Sequence, residues 1–206
     1  MFTENKNFKK IREGILIWEN FLSKEETEFY FNIADSITEE EWGMHDSNPN
    51  PFWNGKLSQN HKEIYELGNK INKIIAPEYM VPPVKIFTRT PVGQGMDVHI
   101  DRGDPDLSDE YYNDFETCCH VEWGILLYFG SWEGGELYYP DLDLIIKPNP
   151  GDLIIHSALP PYAHGVNPVI SGKRYLYANF AYDCNMEWRN PDTGKIHVGP
   201  IFIDSK

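Results

Sequence analysis

The sequence contains no apolar stretch approaching the roughly 18–20 residues a membrane-spanning helix requires, so no membrane association is expected. Its first residues, Met1 to Lys6, lack the charged start and apolar core of a secretory leader. Cysteine is scarce: Cys118, Cys119 and Cys184 are all there are, and none shows the Cys-x-x-Cys spacing of a zinc site. Adjacent Cys118 and Cys119 on a strand point to opposite faces, so a disulfide framework has no support. The count fits a reducing compartment, and a cytoplasmic protein is expected. Positive charge is also short, with 18 Lys and Arg against 32 Asp and Glu, a net charge of −14. Such a chain repels phosphate backbones, and no basic cluster offsets this, so nucleic acid is not an expected partner. The acidity suits a neutral or basic substrate, or serves only to keep the chain dissolved. There is no internal repeat and no low-complexity linker.

What is present is a chain of 206 residues with 41% hydrophobic and 14% aromatic residues, enough to bury the core of one domain. Gly14 to Phe21 reads as a short strand. Ser23-Lys24-Glu25-Glu26 has capping-box form, and Phe29, Tyr30, Ile33 and Ile37 follow at helical spacing, which predicts a helix over about 24–38. Residues 42–56, with Trp42 and Trp53 among Asn, Pro and Gly, read as a long loop. Ile64, Leu67, Ile71, Ile74 and Ile75 predict a second helix over about 60–75, stopped by Pro77. From Val84 onward the pattern is β-like: 84–88, 123–129, 136–139, 144–147, 153–156 and 174–182, punctuated by Gly93, Gly95, Gly134-Gly135 and Pro150-Gly151. Many short strands so divided predict a barrel or double-sheet jelly roll, and two preceding helices make the whole an α+β domain. The expected division is a helical support over 1–83, a β core over 84–182 and a tail over 183–206.

His99-Ile100-Asp101 is the first chemical signal. On a strand, residues two apart point the same way, so one imidazole and one carboxylate face one cavity from a single strand end. His164, in Ala163-His164-Gly165-Val166, is the best candidate for a third ligand, because a jelly roll sets distant strands side by side. Two His and one carboxylate leave three positions of an octahedron open, the arrangement of Fe(II) sites that bind a chelating co-substrate and O₂. By themselves these residues also fit an ordinary surface pair and a satisfied core histidine.

The surrounding segments decide between these readings by resemblance. Ile86-Phe87-Thr88-Arg89 leads through Gly93 and Gly95 to His99; Leu127-Tyr128-Phe129-Gly130 precedes Gly134-Gly135-Glu136-Leu137 and Pro140; Pro150-Gly151-Asp152-Leu153 precedes His164 and Val166-Asn167-Pro168. Over about residues 84–182 this order resembles the prolyl 4-hydroxylase-like branch of the 2-oxoglutarate and Fe(II)-dependent dioxygenases. The resemblance implies a double-stranded β-helix core and a dioxygenase that uses Fe(II), 2-oxoglutarate and O₂, with ascorbate as a reductant. It implies hydroxylation of an unactivated C–H bond, with a prolyl residue of a peptide or protein as the substrate. It also places an Arg or Lys for the distal carboxylate of 2-oxoglutarate at Arg174, ten residues after His164, with Lys173 competing by one position. Neighbouring strand residues face opposite sides, so only one of the two points inward, and the planar Arg fork suits a carboxylate better. Tyr128 is the candidate hydroxyl partner.

The chain departs from the family pattern at Thr90, where relatives often have Tyr, and at Phe180, where they often have Trp. His156 stands where relatives often carry Phe and reads as a strand residue near the barrel mouth; Asp97 reads as a loop residue or a partner orienting a ligand. His120 reads as a structural strand residue, and His45, His61 and His197 lie in polar contexts. The stretch 102–119, rich in acidic residues with Tyr111-Tyr112, is placed to act as a lid or binding loop. Two other functions remain open: an oxygenase of a free small molecule, and a cupin-type metal-binding protein without oxygenase activity. Nucleic-acid repair relatives carry a second Arg soon after the carboxylate-binding one, and Tyr175 to Phe180 contains none.

Overall fold

The computed structural model describes residues 7–38, 56–58, 62–75, 78–81, 87–102, 121–185, 187–189 and 196–198. Apart from Arg102, the expected lid at 102–119 lies outside these residues, as do the loop with Trp42 and Trp53 and His45, His61 and His120.

Strands β1 (Lys9–Arg12) and β2 (Ile15–Trp18) lead into helix α1 (Lys24–Ser36). After β3 (Lys56–Ser58), helix α2 (Lys62–Asn72) precedes β4 (Tyr79–Met80), β5 (Phe87–Thr90) and β6 (Met96–His99). The long β7 (Val121–Gly134) is followed by β8 (Leu137–Tyr139), β9 (Leu144–Ile146), β10 (Leu153–Ser157), β11 (His164–Val166) and the equally long β12 (Val169–Asp183). A hairpin of β13 (Glu187–Arg189) and β14 (Ile196–Val198) forms a separate two-stranded sheet. The major sheet runs β1-β2-β10-β7-β12-β5-β3, with β4 also pairing β12, and the minor sheet runs β6-β11-β8-β9. Every one of these ladders is antiparallel. The first 83 residues therefore supply strands to the major sheet as well as helices.

Strand β7 lies between β10 and β12 in the sheet, with the helices against one of its faces and the minor sheet against the other, and its sequence Gly124-Ile-Leu-Leu-Tyr-Phe is correspondingly apolar throughout. Its two faces serve different layers. Ile125, Leu127 and Phe129 join Leu153 and Ile155 of β10, Tyr175 and Tyr177 of β12, and the helix residues Tyr30, Ala34, Leu67 and Ile71 in one core. Tyr128, Ile154 and Leu176 point the other way and meet Leu137, Tyr139 and Ile146 of the minor sheet. Each such buried side chain contributes roughly 1.5–3 kcal/mol, enough to fix the register, because a one-residue slip would swap the two layers. The arrangement is a double-stranded β-helix with helices on its outer face.

Helix α1 begins where its sequence predicts. The Ser23 hydroxyl accepts from the Glu26 amide at 3.2 Å, and the Glu26 carboxylate accepts from the Ser23 amide at 2.9 Å. Glu26 also accepts from Lys70 of α2 at 2.7 Å, which ties the two helices together. Tyr30 and Ala34 form the buried stripe, whereas Phe29, expected to belong to it, is exposed. Replacing Ser23 by Ala is expected to cost about 1 kcal/mol, read as a lower midpoint in urea unfolding with an unchanged slope. Among the described residues no helix is long and apolar enough to cross a membrane.

Candidate metal centre and carboxylate pocket

Strands β6 and β11 pair in the minor sheet with His99 directly opposite His164. Their rings approach to 4.5 Å between centres. Asp101, just past the end of β6, turns its Oδ1 toward both: 3.5 Å from His99 Nε2 and 3.8 Å from His164 Nε2. The ligand atoms of the three residues all lie within 4.8 Å of one another. Antiparallel register does for His99 and His164 what the strand period does for His99 and Asp101.

Each imidazole is held in the tautomer that a metal requires. His99 Nδ1 donates to the Asp97 carbonyl at 2.9 Å, and His164 Nδ1 donates to the Tyr162 carbonyl at 3.2 Å. A carbonyl only accepts, so the proton sits on Nδ1 and the Nε2 lone pair faces the cluster. Asp97 therefore orients its neighbour through its backbone rather than its carboxylate, which is exposed. Burial alone would raise the Asp101 carboxyl, but the surrounding imidazoles of His164, His99 and His156 hold it well below the usual range. Burial pushes His164 down to about 3, reinforced by His156. In His99 burial is outweighed by Asp101, and its pKa is raised. The set is one anion and two imidazoles, a donor set that fits Fe(II) with open positions.

A second polar group lies on the inner face of the major sheet. Arg174, on β12, is 2% exposed. Its Nη1 donates to Thr90 Oγ1 at 2.9 Å, and its guanidinium carbon lies 5.2 Å from the centre of the Tyr128 ring. Thr90, the departure from the family pattern, orients this arginine from the adjacent strand β5. Arg174 Nε and Nη2 and the Tyr128 hydroxyl have no hydrogen-bond partner among the described residues. Burial lowers the Arg174 pKa, partly offset by Tyr128, and raises that of Tyr128 to about 12, so the phenol keeps its proton at neutral pH. A buried cation with idle donors beside an idle hydroxyl is costly unless an anion completes it. Gly135, at φ +64°, makes room for the arginine: a Cβ there would lie 2.9 Å from Arg174 Cδ. Lys173 points outward and pairs with Asp35 on α1 at 2.5 Å.

Three further residues belong to this space. His156 is 0% exposed, not at the rim, and its ring centre is 4.3 Å from that of His164. Tyr139 packs in the same layer as Tyr128, yet its ring centre is 5.7 Å from His164, so it links the two polar groups. Its buried hydroxyl has no partner among the described residues. Gly124 on β7 pairs with both His156 and Phe180 in register and leaves the gap that Asp101 enters. Parity was the available signal: His156 lies two residues from Ile154, and Gly124 two from Leu126, on the inward phase of their strands.

No protein-family model and no curated protein matches the chain in sequence. Solved structures do match in fold. The viral collagen prolyl hydroxylase of Paramecium bursaria Chlorella virus-1, in complex with 2OG, gives a TM-score of 0.59 at 18% identity, covering 87% of this chain and 97% of that one. A Pseudomonas putida prolyl-4-hydroxylase gives 0.59 at 15% identity, covering 81% and 91%. The Trichoplax adhaerens prolyl hydroxylase, in complex with a hypoxia inducible factor peptide fragment, gives 0.59 at 18% identity, covering 87% and 85%. The chain thus has the fold of the 2-oxoglutarate and Fe(II)-dependent oxygenases, as the order of its motifs implied.

Proposed function

We propose that this protein is an Fe(II)- and 2-oxoglutarate-dependent dioxygenase that hydroxylates an unactivated C–H bond. The observation that carries the reading is the convergence of His99, Asp101 and His164 on one face, together with a buried Arg174 whose donors lack partners. His99, Asp101 and His164 hold the iron. Arg174, steadied by Thr90, receives the distal carboxylate of 2-oxoglutarate, and the Tyr128 hydroxyl donates to the same group. With 2-oxoglutarate and O₂ bound, iron supplies the oxidising chemistry, and succinate and CO₂ are the co-products. The chain's own part is to bind, orient and exclude water: Leu126, Ile154 and Ala178 line the interior between the two polar groups with apolar surface.

The substrate class is a prolyl residue of a peptide or protein, a reading supported by the neighbours that are prolyl hydroxylases. The domain reading places the iron site in the β core of 84–182, with 1–83 as support and 183–206 as a tail. The test is succinate formation from 2-oxoglutarate with Fe(II) and ascorbate, and its stimulation by proline-containing peptides that gain one oxygen by mass. No succinate with any peptide would defeat the reading. Succinate formation that peptides never stimulate would transfer it to a small-molecule substrate.

The titration of the ligands sets a pH dependence. Asp101 is already ionised and His164 already neutral at working pH, whereas His99, its pKa raised by the Asp101 carboxylate, is the ligand candidate that carries an extra proton below its titration. Metal binding must displace that proton. Affinity for Co(II), a redox-stable substitute, is expected to rise with pH by about tenfold per unit below the His99 titration and to level above it. Calorimetry in buffers of different ionisation heat reads the release directly. Close to one proton per metal is expected below the His99 titration, and no release there would contradict the assignment of His99.

A further inference from the structure

The Asp101 carboxylate has two oxygens in different surroundings. Oδ1 faces the two histidines of the cluster. Oδ2 faces the other way, toward His156 Nε2 at 3.5 Å. Both atoms sit in the gap over Gly124, where a Cβ would stand 2.4 Å from each. His156 comes from β10 of the major sheet, whereas His99 and His164 come from the minor sheet, so the carboxylate is approached from both layers. Neither ring nitrogen of His156 has a hydrogen-bond partner among the described residues, although the ring is fully buried. An imidazole so placed would forfeit its hydrogen bonds unless one of its nitrogens serves the carboxylate.

We propose that His156 is a positioning residue that donates its Nε2–H to Asp101 Oδ2, so that Asp101 binds the metal through Oδ1 alone. This rests on the iron reading of His99, Asp101 and His164. A carboxylate free to rotate chelates through both oxygens and takes up a position needed by the co-substrate. One held at Oδ2 presents a single oxygen in a fixed direction. His156 is not itself a ligand, because its Nε2 approaches the oxygen opposite to the one shared by the two histidines.

The test uses the full-length chain and Co(II) in place of iron. Wild type is expected to bind one Co(II). His156→Phe, which keeps the ring volume but removes both nitrogens, is expected to weaken binding by about 10- to 100-fold, the usual consequence of losing a partner of a ligand. His156→Gln, whose amide reaches the Nε2 position with an N–H, is expected to restore most of the affinity. Electron-spin-echo spectroscopy of the vanadyl-loaded protein counts coordinated imidazoles. Two are expected in wild type and still two in His156→Phe. Three in wild type falling to two in the variant would make His156 a ligand and overturn the proposal. Equal Co(II) affinity in wild type and His156→Phe would also overturn it, while leaving the iron reading intact. A wild-type chain that binds no Co(II) would overturn both.

Discussion

Gly124→Ala is expected to weaken metal binding by about 100-fold or more, although glycine has no side chain to offer a metal. A Cβ at this position would lie 2.4 Å from Asp101 Oδ2 and 2.4 Å from His156 Nε2, so something must move. The strand cannot: β7 is hydrogen-bonded to β10 on one side and β12 on the other, and His156 pairs with Gly124 in that ladder. His156 has no room to retreat, being fully buried against the rings of Tyr139 and His164. Asp101 stands just past the end of β6 and is the group most easily displaced. The added methyl is therefore expected to push the carboxylate out of the cluster. The fold loses about 1–3 kcal/mol to overpacking and survives. Co(II) affinity falls by at least the ~100-fold that loss of a ligand's partner reaches. Calorimetric Co(II) titration alongside a thermal melt separates the two effects. A folded Gly124→Ala protein with wild-type Co(II) affinity would show that the gap over Gly124 is not what seats Asp101.

The strand period made much of this site legible in advance. His99 and Asp101 are two apart, and Arg174 and Lys173 are one apart, so pairing in one case and exclusion in the other could be read before any coordinates. The structure puts Arg174 inside and Lys173 against Asp35. The two helices lie within a few residues of their expected bounds because a capping box and an apolar stripe are local signals. Strands β7 and β12 run past their expected bounds, because Ser131, Glu133 and Gly134 in one and Ser171, Gly172 and Lys173 in the other interrupt the apolar pattern that marks a strand. What stayed hidden depends on long-range register. Nothing local tells that His156 will face Asp101, or that the small residue beneath them must be Gly124, until β7, β10 and the end of β6 are aligned. Tyr139 carries no sequence signal for the same reason, since its importance comes from two partners, His156 and His164, on different sheets.

Arg174→Met is expected to weaken 2-oxoglutarate binding by roughly 2–5 kcal/mol, the range for truncating one partner of a buried hydrogen-bonded charge pair. That is about 30-fold to several thousand-fold in Kd. Methionine nearly fills the volume, so the change removes a charge and its donors rather than opening a cavity. The cluster of His99, Asp101 and His164 is untouched, and Co(II) affinity should be unchanged. Titrating 2-oxoglutarate into Co(II)-loaded protein therefore isolates the carboxylate pocket from the metal centre. Arg174→Lys should fall between, because an ammonium keeps the charge but not the fork that reaches Thr90 and an incoming carboxylate together. Lys173→Ala removes an exposed charge paired with Asp35 and is expected to leave 2-oxoglutarate affinity unchanged. Wild-type affinity in Arg174→Met, or a loss confined to Lys173→Ala, would place the co-substrate carboxylate elsewhere. It would also leave the idle donors of a buried guanidinium without a purpose in this fold.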